Sequence, residues 1–468
     1  YICISVEIDL SFWLELGNYH PYIVMWRLLL IGGWLPFVLA LTWGLKETWL
    51  YWRQVRWAGT LKYVVLAIDV PRDNDQSLVA MESFLSLLSG TKRNITKWEE
   101  WWHGMFQIKH SLEIVSIDGY IQYIARVEER YRQNVESGIY AHFPDAEITE
   151  VEDYTKDLPA EFPNEEGWSI WGTEYELVDN PDYYPIKTWI DFEHQFGDRY
   201  FIDPVAQFLE MLSSLQRGEQ FWLQFVITPS PPGWQKKAMG EINKLIERDL
   251  PKDKDKTLEV VEKVFAPLHA VSREIVGQEI LGLAEGARDE ENRWPTMMQH
   301  MTEGEKNQVK AIEMKISKVA FQTRIRAIYW AKDEVFNIQR FVTHFHGYFK
   351  QFASDMNALS RNTRTKTSTD YFMTRYRTKI RKRKIVKNYK IRENTAGANG
   401  SVFNIEELAT LWHFPTQDIR APLVGQVASK RSEPPTALPI EGGTQGVRPI
   451  QTAAAKAPPP TEIPVENT

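Results

Sequence analysis

The chain has 468 residues, 43% of them hydrophobic, and a formal net charge of −7, which suits two to four domains of ordinary globular composition. Its one cysteine, Cys3, excludes a disulfide framework and a cysteine-built zinc site. The charge is uneven: residues 361–392 hold thirteen Lys/Arg against Asp370, and residues 145–193 hold fifteen acids against Lys156 and Lys187. Partners of defined sign are expected from such separation, the plainer alternative being two solvated faces.

The sequence opens on Tyr1, which reads as a processed or incomplete chain. Residues 28–45 (LLLIGGWLPFVLALTWGL) carry no charge. As a helix they would span about 27 Å, close to the ~30 Å hydrocarbon core of a bilayer. Trp49, Tyr51, Trp52 and Trp57 follow, interleaved with Lys46, Arg53, Arg56 and Lys62, while Glu7, Asp9 and Glu15 lie on the other side. An aromatic belt and flanking cations predict a transmembrane helix over 28–45, a membrane anchor over 1–60, and a cytoplasmic bulk at the cell membrane. The competing reading is a buried core helix. Whether residues 1–20 belong to another span or an interfacial segment stays open.

Residues 61–70 (LKYVVLAIDV) predict a buried strand ended by Pro71. Leu78, Met81, Phe84, Leu85 and Leu88 recur at helical spacing, with Gly90 as a stop. Next, SLEIVSIDGYIQYIARV predicts two strands joined at Asp118-Gly119. A helix (EERYRQNVESGIYAHFP) and an alternating strand (AEITEVEDY) complete a β-α-β-β-α-β order over 61–160, the ferredoxin-like plait. KWEEWWHGMFQ lies between the first helix and second strand, with aromatics suited to cover the sheet or to rest on a bilayer.

A second α/β unit is expected over 161–360. It has strands at Trp168–Val178 and Phe221–Thr228, and between them a helix with Asp203 as N-cap. Residues 235–305 read as an inserted helical arm. A long strand over Ala311–Ala331 and a helix from Asp333 to about Ser360, striped by Phe336, Ile338, Phe341, Phe345 and Phe349, follow. The predicted fold class is therefore α+β: an N-terminal transmembrane helix, then two ferredoxin-like units with a helical insert. Residues 361–439 read as a basic segment and linker, and 440–468 as a disordered tail.

Motifs for chemistry are missing. No G-x-x-x-x-G-K-S/T loop, H-E-x-x-H, catalytic-cysteine motif or G-x-S-x-G elbow occurs. His344 and His346 are two apart on a helix and point away from each other. No catalytic, metal or cofactor residue is assigned, no cofactor is expected, and the chain reads as a non-enzyme. The basic segment carries the sharpest signal. Arg375, Arg377, Lys379, Arg381, Lys382, Arg383, Lys384 and Lys387 are interleaved with Tyr371, Phe372, Tyr376 and Tyr389. Clustered cations neutralise phosphates and aromatics stack on bases. Anionic lipid headgroups or an acidic surface, including residues 145–193 of this chain, would answer the same charges.

Taken together, VLAIDVPRDNDQS, SLEIVSIDGYIQY, YAHFPDAEITEVEDYT, ELATLWHFPT and SKRSEPPTALP resemble the membrane-anchored N-terminal region of type IV secretion (conjugation) ATPases of small-genome bacteria. The resemblance covers about Trp26 to Pro439. It implies a platform preceding a hexameric motor that moves DNA or protein. In the resembled proteins a Walker-type ATPase follows the SKR-EPP passage; here none does. The implied partners are an ATPase in trans, docked by Glu407–Pro439, the membrane, DNA, and a further copy of the chain. A truncated or decayed copy is the alternative to a separate motor. A membrane-tethered nucleic-acid-binding protein without a motor is the rival function.

Overall fold

The computed structural model describes residues 20–28, 34–70, 76–194, 200–231, 233–246, 301–369 and 372–416. Two helices lead the chain, α1 (Pro21–Leu28) and α2 (Leu35–Ala58). The first half of the sheet then forms from β1 (Tyr63–Asp69), α3 (Leu78–Ser89), β2 (His110–Ile117), β3 (Tyr120–Glu128), α4 (Arg132–His142) and β4 (Glu147–Val151). The β2–β3 turn needs left-handed backbone at both corners. Asp118 (φ 52°) and Gly119 (φ 87°) supply it, the conformation that matches hairpin twist.

The second half comprises β5 (Trp168–Leu177), a two-residue hairpin of β6 (Glu193–His194) and β7 (Tyr200–Phe201), and α5 (Ala206–Ser213). After these come β8 (Glu219–Pro229), α6 (Trp234–Leu245), α7 (Glu303–Ser317), β9 (Ala320–Lys332), α8 (Ile338–Lys350) and β10 (Leu359–Arg361). The helix α9 (Thr374–Lys390), β11 (Ser401–Asn404) and α10 (Ile405–Leu411) finish the described chain.

Both halves share one nine-stranded sheet, ordered β10-β5-β9-β8-β2-β3-β1-β4, with β11 also pairing β9. Its pairings are antiparallel. Read from the middle outward, each half has the strand order of a β-α-β-β-α-β plait, and the two meet edge to edge where β2 pairs β8, from His110↔Ile227 to Ile117↔Gln220. Strands 61–160 and 161–360 therefore do not form separate sheets. Covered on both faces, β2 and β8 are almost continuously buried.

Helices α3, α4, α5, α8 and α10 pack on one face, around Phe84, Ile139, Phe208, Phe345 and Leu408. The opposite face holds Val115, Trp222, Ile328 and Trp330 beneath Ile385, Val386 and Tyr389 of α9. A third cluster joins α6 to α7 through Trp234, Ile242, Val309 and Ile312, over Ala320 and Val402. Residues 247–300 of the expected arm, 417–439 of the expected linker and the expected tail 440–468 lie outside the described residues.

Several expectations are corrected. No described helix is long and apolar enough to cross a membrane. The described helices are α1, to Leu28, and α2, from Leu35, and residues 29–33 lie outside the described set. From Leu35 only eleven residues precede Lys46, about 16 Å of helix, half a hydrocarbon core. The transmembrane helix over 28–45 is withdrawn. Residues 311–317 are helical rather than extended. A Thr302–Glu305 capping box starts α7, and Val309, Ile312 and Ile316 form its buried stripe. Past Lys350 the chain leaves the helix and returns as β10. Asp203 is not the N-cap of α5, a position taken by Val205; its carboxylate accepts from Val205 N at 2.8 Å, Thr416 N at 3.2 Å and His413 Nε2 at 3.0 Å.

The segment 405–414 is core, not connector. Leu408, Ala409, Leu411, Trp412 and Phe414 are buried. Trp412 and Phe414 meet Tyr123 edge-on at 5.8 and 5.3 Å, and Phe414 meets Phe143 at 4.9 Å. Glu407 closes a capping box with Asn404 and pairs with the buried Lys315 at 3.0 Å. The last described helix thus ties the second half of the sheet to the first. Trp412→Ala is expected to cost about 3–5 kcal/mol in denaturant melts monitored by circular dichroism, where a tolerant linker would show almost no change.

Two histidines set an acid limit. Burial pushes His110, on β2, down to about 4. His346, on α8, is also lowered to about 4 by burial and then by Arg361, Lys350 and Lys366. Both stay neutral in the folded chain while the unfolded chain takes up protons near pH 6.5. Stability should hold above that pH and fall as pH drops toward 4. A Tm series across this window checks it, and His110→Gln should flatten the slope.

Candidate functional site

A helix of Lys and Arg with no Gly or Pro has adequate propensity, yet α9 forms against its own electrostatics. No acid occupies its first turn, and Arg375 and Arg377 sit at the positive end of the helix dipole. Arg377–Arg381, Lys379–Arg383 and Arg383–Lys387 are like-charge pairs at i,i+4, each costing roughly 0.2–0.5 kcal/mol. Packing of Ile385, Val386 and Tyr389 on the sheet holds the helix in place.

The eight cations of the basic segment divide by environment. Arg381 donates to the carbonyls of Lys366 (3.0 Å) and Thr363 (3.3 Å), bracing the preceding loop. Lys382 is half-buried, and burial lowers its pKa against the pull of Asp333. Arg383 and Lys379 share Glu161, the latter at 3.6 Å. Arg375, Arg377, Lys384 and Lys387 are exposed and have no carboxylate partner among the described residues. Tyr376, Arg383 and Lys387 follow at i, i+7 and i+11, so one outward stripe combines aromatic and cation. Tyr376 is exposed, and Phe372 just before the helix is 87% exposed. Tyr389 points inward, and Tyr371 lies outside the described residues.

Beneath the end of α9 lies a polar row that the basic-segment reading does not include. Glu174, Arg326, Gln224 and Glu113 stand directly opposite one another across β5, β9, β8 and β2, and all four are buried. The Glu113 carboxylate accepts from Ser111 Oγ (2.6 Å), Gln224 Nε2 (2.9 Å), Tyr154 Oη (2.6 Å) and Arg392 Nε (3.1 Å). Burial alone would push its pKa up. The Arg392 charge and the hydrogen bonds from Arg392, Ser111 and Tyr154 outweigh burial and hold it below its ordinary value. Arg392, in left-handed backbone (φ 49°), also spans Asp153 at 2.5 and 3.0 Å. Arg326 pairs with Glu174, and Arg324 collects the carbonyls of residues 394–398. Gly397 (φ +116°) lies so close to Glu174 that a Cβ would stand 2.3 Å from its carboxylate. In the sequence the row shows only as a charged or amide side chain set among apolar neighbours: Glu113 in SLEIVSI, Gln224 in FWLQFVIT, Arg326 in TRIRAIYW.

Within the row, Gln224 Oε1 and Arg326 Nη1 are buried without a hydrogen-bond partner among the described residues. Each carboxylate is matched by a guanidinium, so neither is placed to abstract a proton. Its role is to clamp residues 390–400, and hence the base of α9, to the sheet. Among the described residues no group of three or more His, Cys, Asp or Glu could hold a metal ion. A cavity of about 330 Å³ is lined by Thr60, Lys62, Glu128, Glu129 and Arg130. His344 turns back onto the Arg340 carbonyl at 2.6 Å, while His346 faces Tyr175 and Arg361. The acidic stretch 145–193 partly answers the basic one, through Asp153–Arg392 and Glu161–Arg383.

Removing the clamp has a predictable cost. Arg392→Met leaves Glu113 buried without its cation and should destabilise by about 3–5 kcal/mol. Adding Glu113→Gln should recover part of that, since less charge remains unpaired. Denaturant titrations of the two single variants and the double measure the coupling.

No curated protein matches the chain. A family model described as a domain of unknown function, DUF8128, matches residues 62–426, a span that includes the whole sheet, the polar row and α9. The chain belongs to that DUF8128 family.

Proposed function

We propose that the chain is a non-catalytic platform of a secretion or DNA-transfer machine, that α9 is its contact with nucleic acid, and that the ATPase is supplied in trans. One observation carries the nucleic-acid contact: Arg375, Arg377, Lys384 and Lys387 stand exposed and without carboxylate partners among the described residues, on a helix whose inner face is fixed to the sheet. Four cations held this way release counterions from a phosphate backbone. Tyr376 and Phe372 add stacking surfaces at one end of the ridge. An anionic polymer would also relieve the like-charge pairs along α9. Support for the transfer machine is the resemblance of the sheet-forming segments to the N-terminal region of conjugation ATPases.

A second reading, a nucleic-acid-binding protein that acts without a motor, is favoured by the burial of residues 405–414. That part of the passage has no free surface on which to dock an ATPase. Recovery of an ATPase with the tagged full chain separates the two readings.

The ridge is tested with Arg377→Glu, Lys384→Glu and Lys387→Glu combined, residues whose side chains brace nothing among the described residues. Fluorescence anisotropy with a labelled oligonucleotide should show at least a tenfold loss of affinity and a salt slope shallower by about three. Binding of unchanged affinity and slope would remove α9 from the reading.

A further inference from the structure

A second cationic and aromatic surface lies at the other end of the described chain. The turn Glu99–His103 is seated on the second half of α2. Trp49 Nε1 donates to the Trp101 carbonyl at 3.1 Å. Gly104 (φ +69°) approaches the Arg53 backbone so closely that a Cβ would lie 2.3 Å from it. The indoles form a connected set, with centroids 5.6 Å apart for Trp49–Trp52, 5.9 Å for Trp49–Trp102 and 5.3 Å for Trp98–Trp102. Arg53 lies 5.7 Å from the rings of Trp49 and Trp52, and Arg56 lies 5.8 Å from Trp52. Neither guanidinium has a carboxylate partner among the described residues. The acids nearby are Glu47, beside Lys46 at 4.0 Å, Glu100, and Glu99, which is turned onto Thr96 N and Oγ1 at 2.8 and 2.9 Å. Lys97, Arg93 and Lys92 add positive charge along the same segment. The rings are far from covered: Trp52 is 50%, Trp98 64% and Trp102 47% exposed.

The helix leading into this collar is bare on all sides. Leu35, Phe37, Val38, Leu39, Ala40 and Trp43 are exposed, and at 100° per residue they point around the whole circumference. A protein groove covers one stripe of a helix, whereas a fluid apolar phase covers every side. The apolar stretch Leu35–Leu45 is about 16 Å long, the depth of one leaflet. Indoles, apolar in body with one N–H, favour the headgroup boundary, and guanidiniums reach from there to anionic lipid.

We propose that the collar of Trp49, Trp52, Trp98 and Trp102, with Arg53 and Arg56, seats the protein on an anionic bilayer surface, with Leu35–Leu45 entering one leaflet without crossing it. The attachment is independent of the α9 reading. It leaves α9 free for its own ligand.

Flotation of the full chain with phosphatidylcholine vesicles, with and without phosphatidylglycerol, tests it. The chain should partition to the anionic vesicles, and brominated lipid should quench its tryptophan fluorescence. Arg53→Gln with Arg56→Gln should weaken partitioning about thirtyfold, two cations near the surface being lost. Trp98→Ser with Trp102→Ser should reduce both partitioning and quenching. Circular dichroism melts confirm that the variants fold; should either pair not fold, quenching of the unaltered chain decides. Lys384→Glu with Lys387→Glu, on α9, should float as the unaltered chain does. Failure of the unaltered chain to float, absence of quenching, collar variants that float normally, or loss confined to the α9 variant would each overturn the proposal. So would equal partitioning with neutral vesicles, since the arginines would then have no part.

Discussion

A carboxylate with no solvent exposure in the middle of a broad sheet must find compensating charge or give up its ionisation. Glu113 finds it in Arg392, a residue 279 positions later in the chain. The consequences spread from that pairing. Arg392 can reach Glu113 only if α9 ends above β2, so the pair sets where the basic helix stops. The same guanidinium holds Asp153 and, with it, the segment that closes the far side of the core. Gln224 and Tyr154 spend their polar groups on Glu113, and Tyr389 joins through its hydroxyl, 2.9 Å from that of Tyr154. Buried ion pairs add little to net stability compared with an apolar packing of the same volume, but they penalise wrong arrangements strongly. Here they fix the height and direction of a helix that would otherwise repel itself.

The two-plait architecture explains why such a clamp is needed on one face only. The helices of both halves, joined by α10, cover the first face with an aromatic core in which Phe208, Phe221, Phe345 and Tyr348 touch one another. The second face receives one long cationic helix and irregular chain. Carbonyls of residues 394–398 cannot form a sheet ladder there, and Arg324 and Arg326 accept that duty. Both arginines come from β9, the strand flanked by β5, β8 and β11.

Local structure was legible where local chemistry decides it. Asp118-Gly119 marked its hairpin, and the spacing from Leu78 to Leu88 marked its helix. The helical register of α7 was hidden because Ile312 and Ile316 run straight into the apolar strand at Ala320, although the Thr302–Glu305 box was present. Joining β2 to β8 leaves no local trace, since the pairing connects residues about a hundred positions apart. The cations of α9 were visible as a run, but their division was not. Whether Arg381 braces a loop or Lys384 faces water depends on where residues 363–368 and Glu161 come to lie. The apolar run at the start misled because its uncharged length was read as a span, whereas the described helix has only eleven residues before Lys46.

Edge-to-edge fusion of the plaits also governs how the protein meets its own copies. Each plait alone would offer a long unpaired strand, β2 or β8. Fusion consumes both in one internal seam. At the outer margins stand β4, five residues with Glu147 and Glu150 upon it, and β10, three residues long. Short margins that carry charge, Glu147 and Glu150 on β4 and Arg361 on β10, are poor templates for strand addition. Copies crowded together would therefore be expected to stay separate molecules rather than polymerise through their sheets.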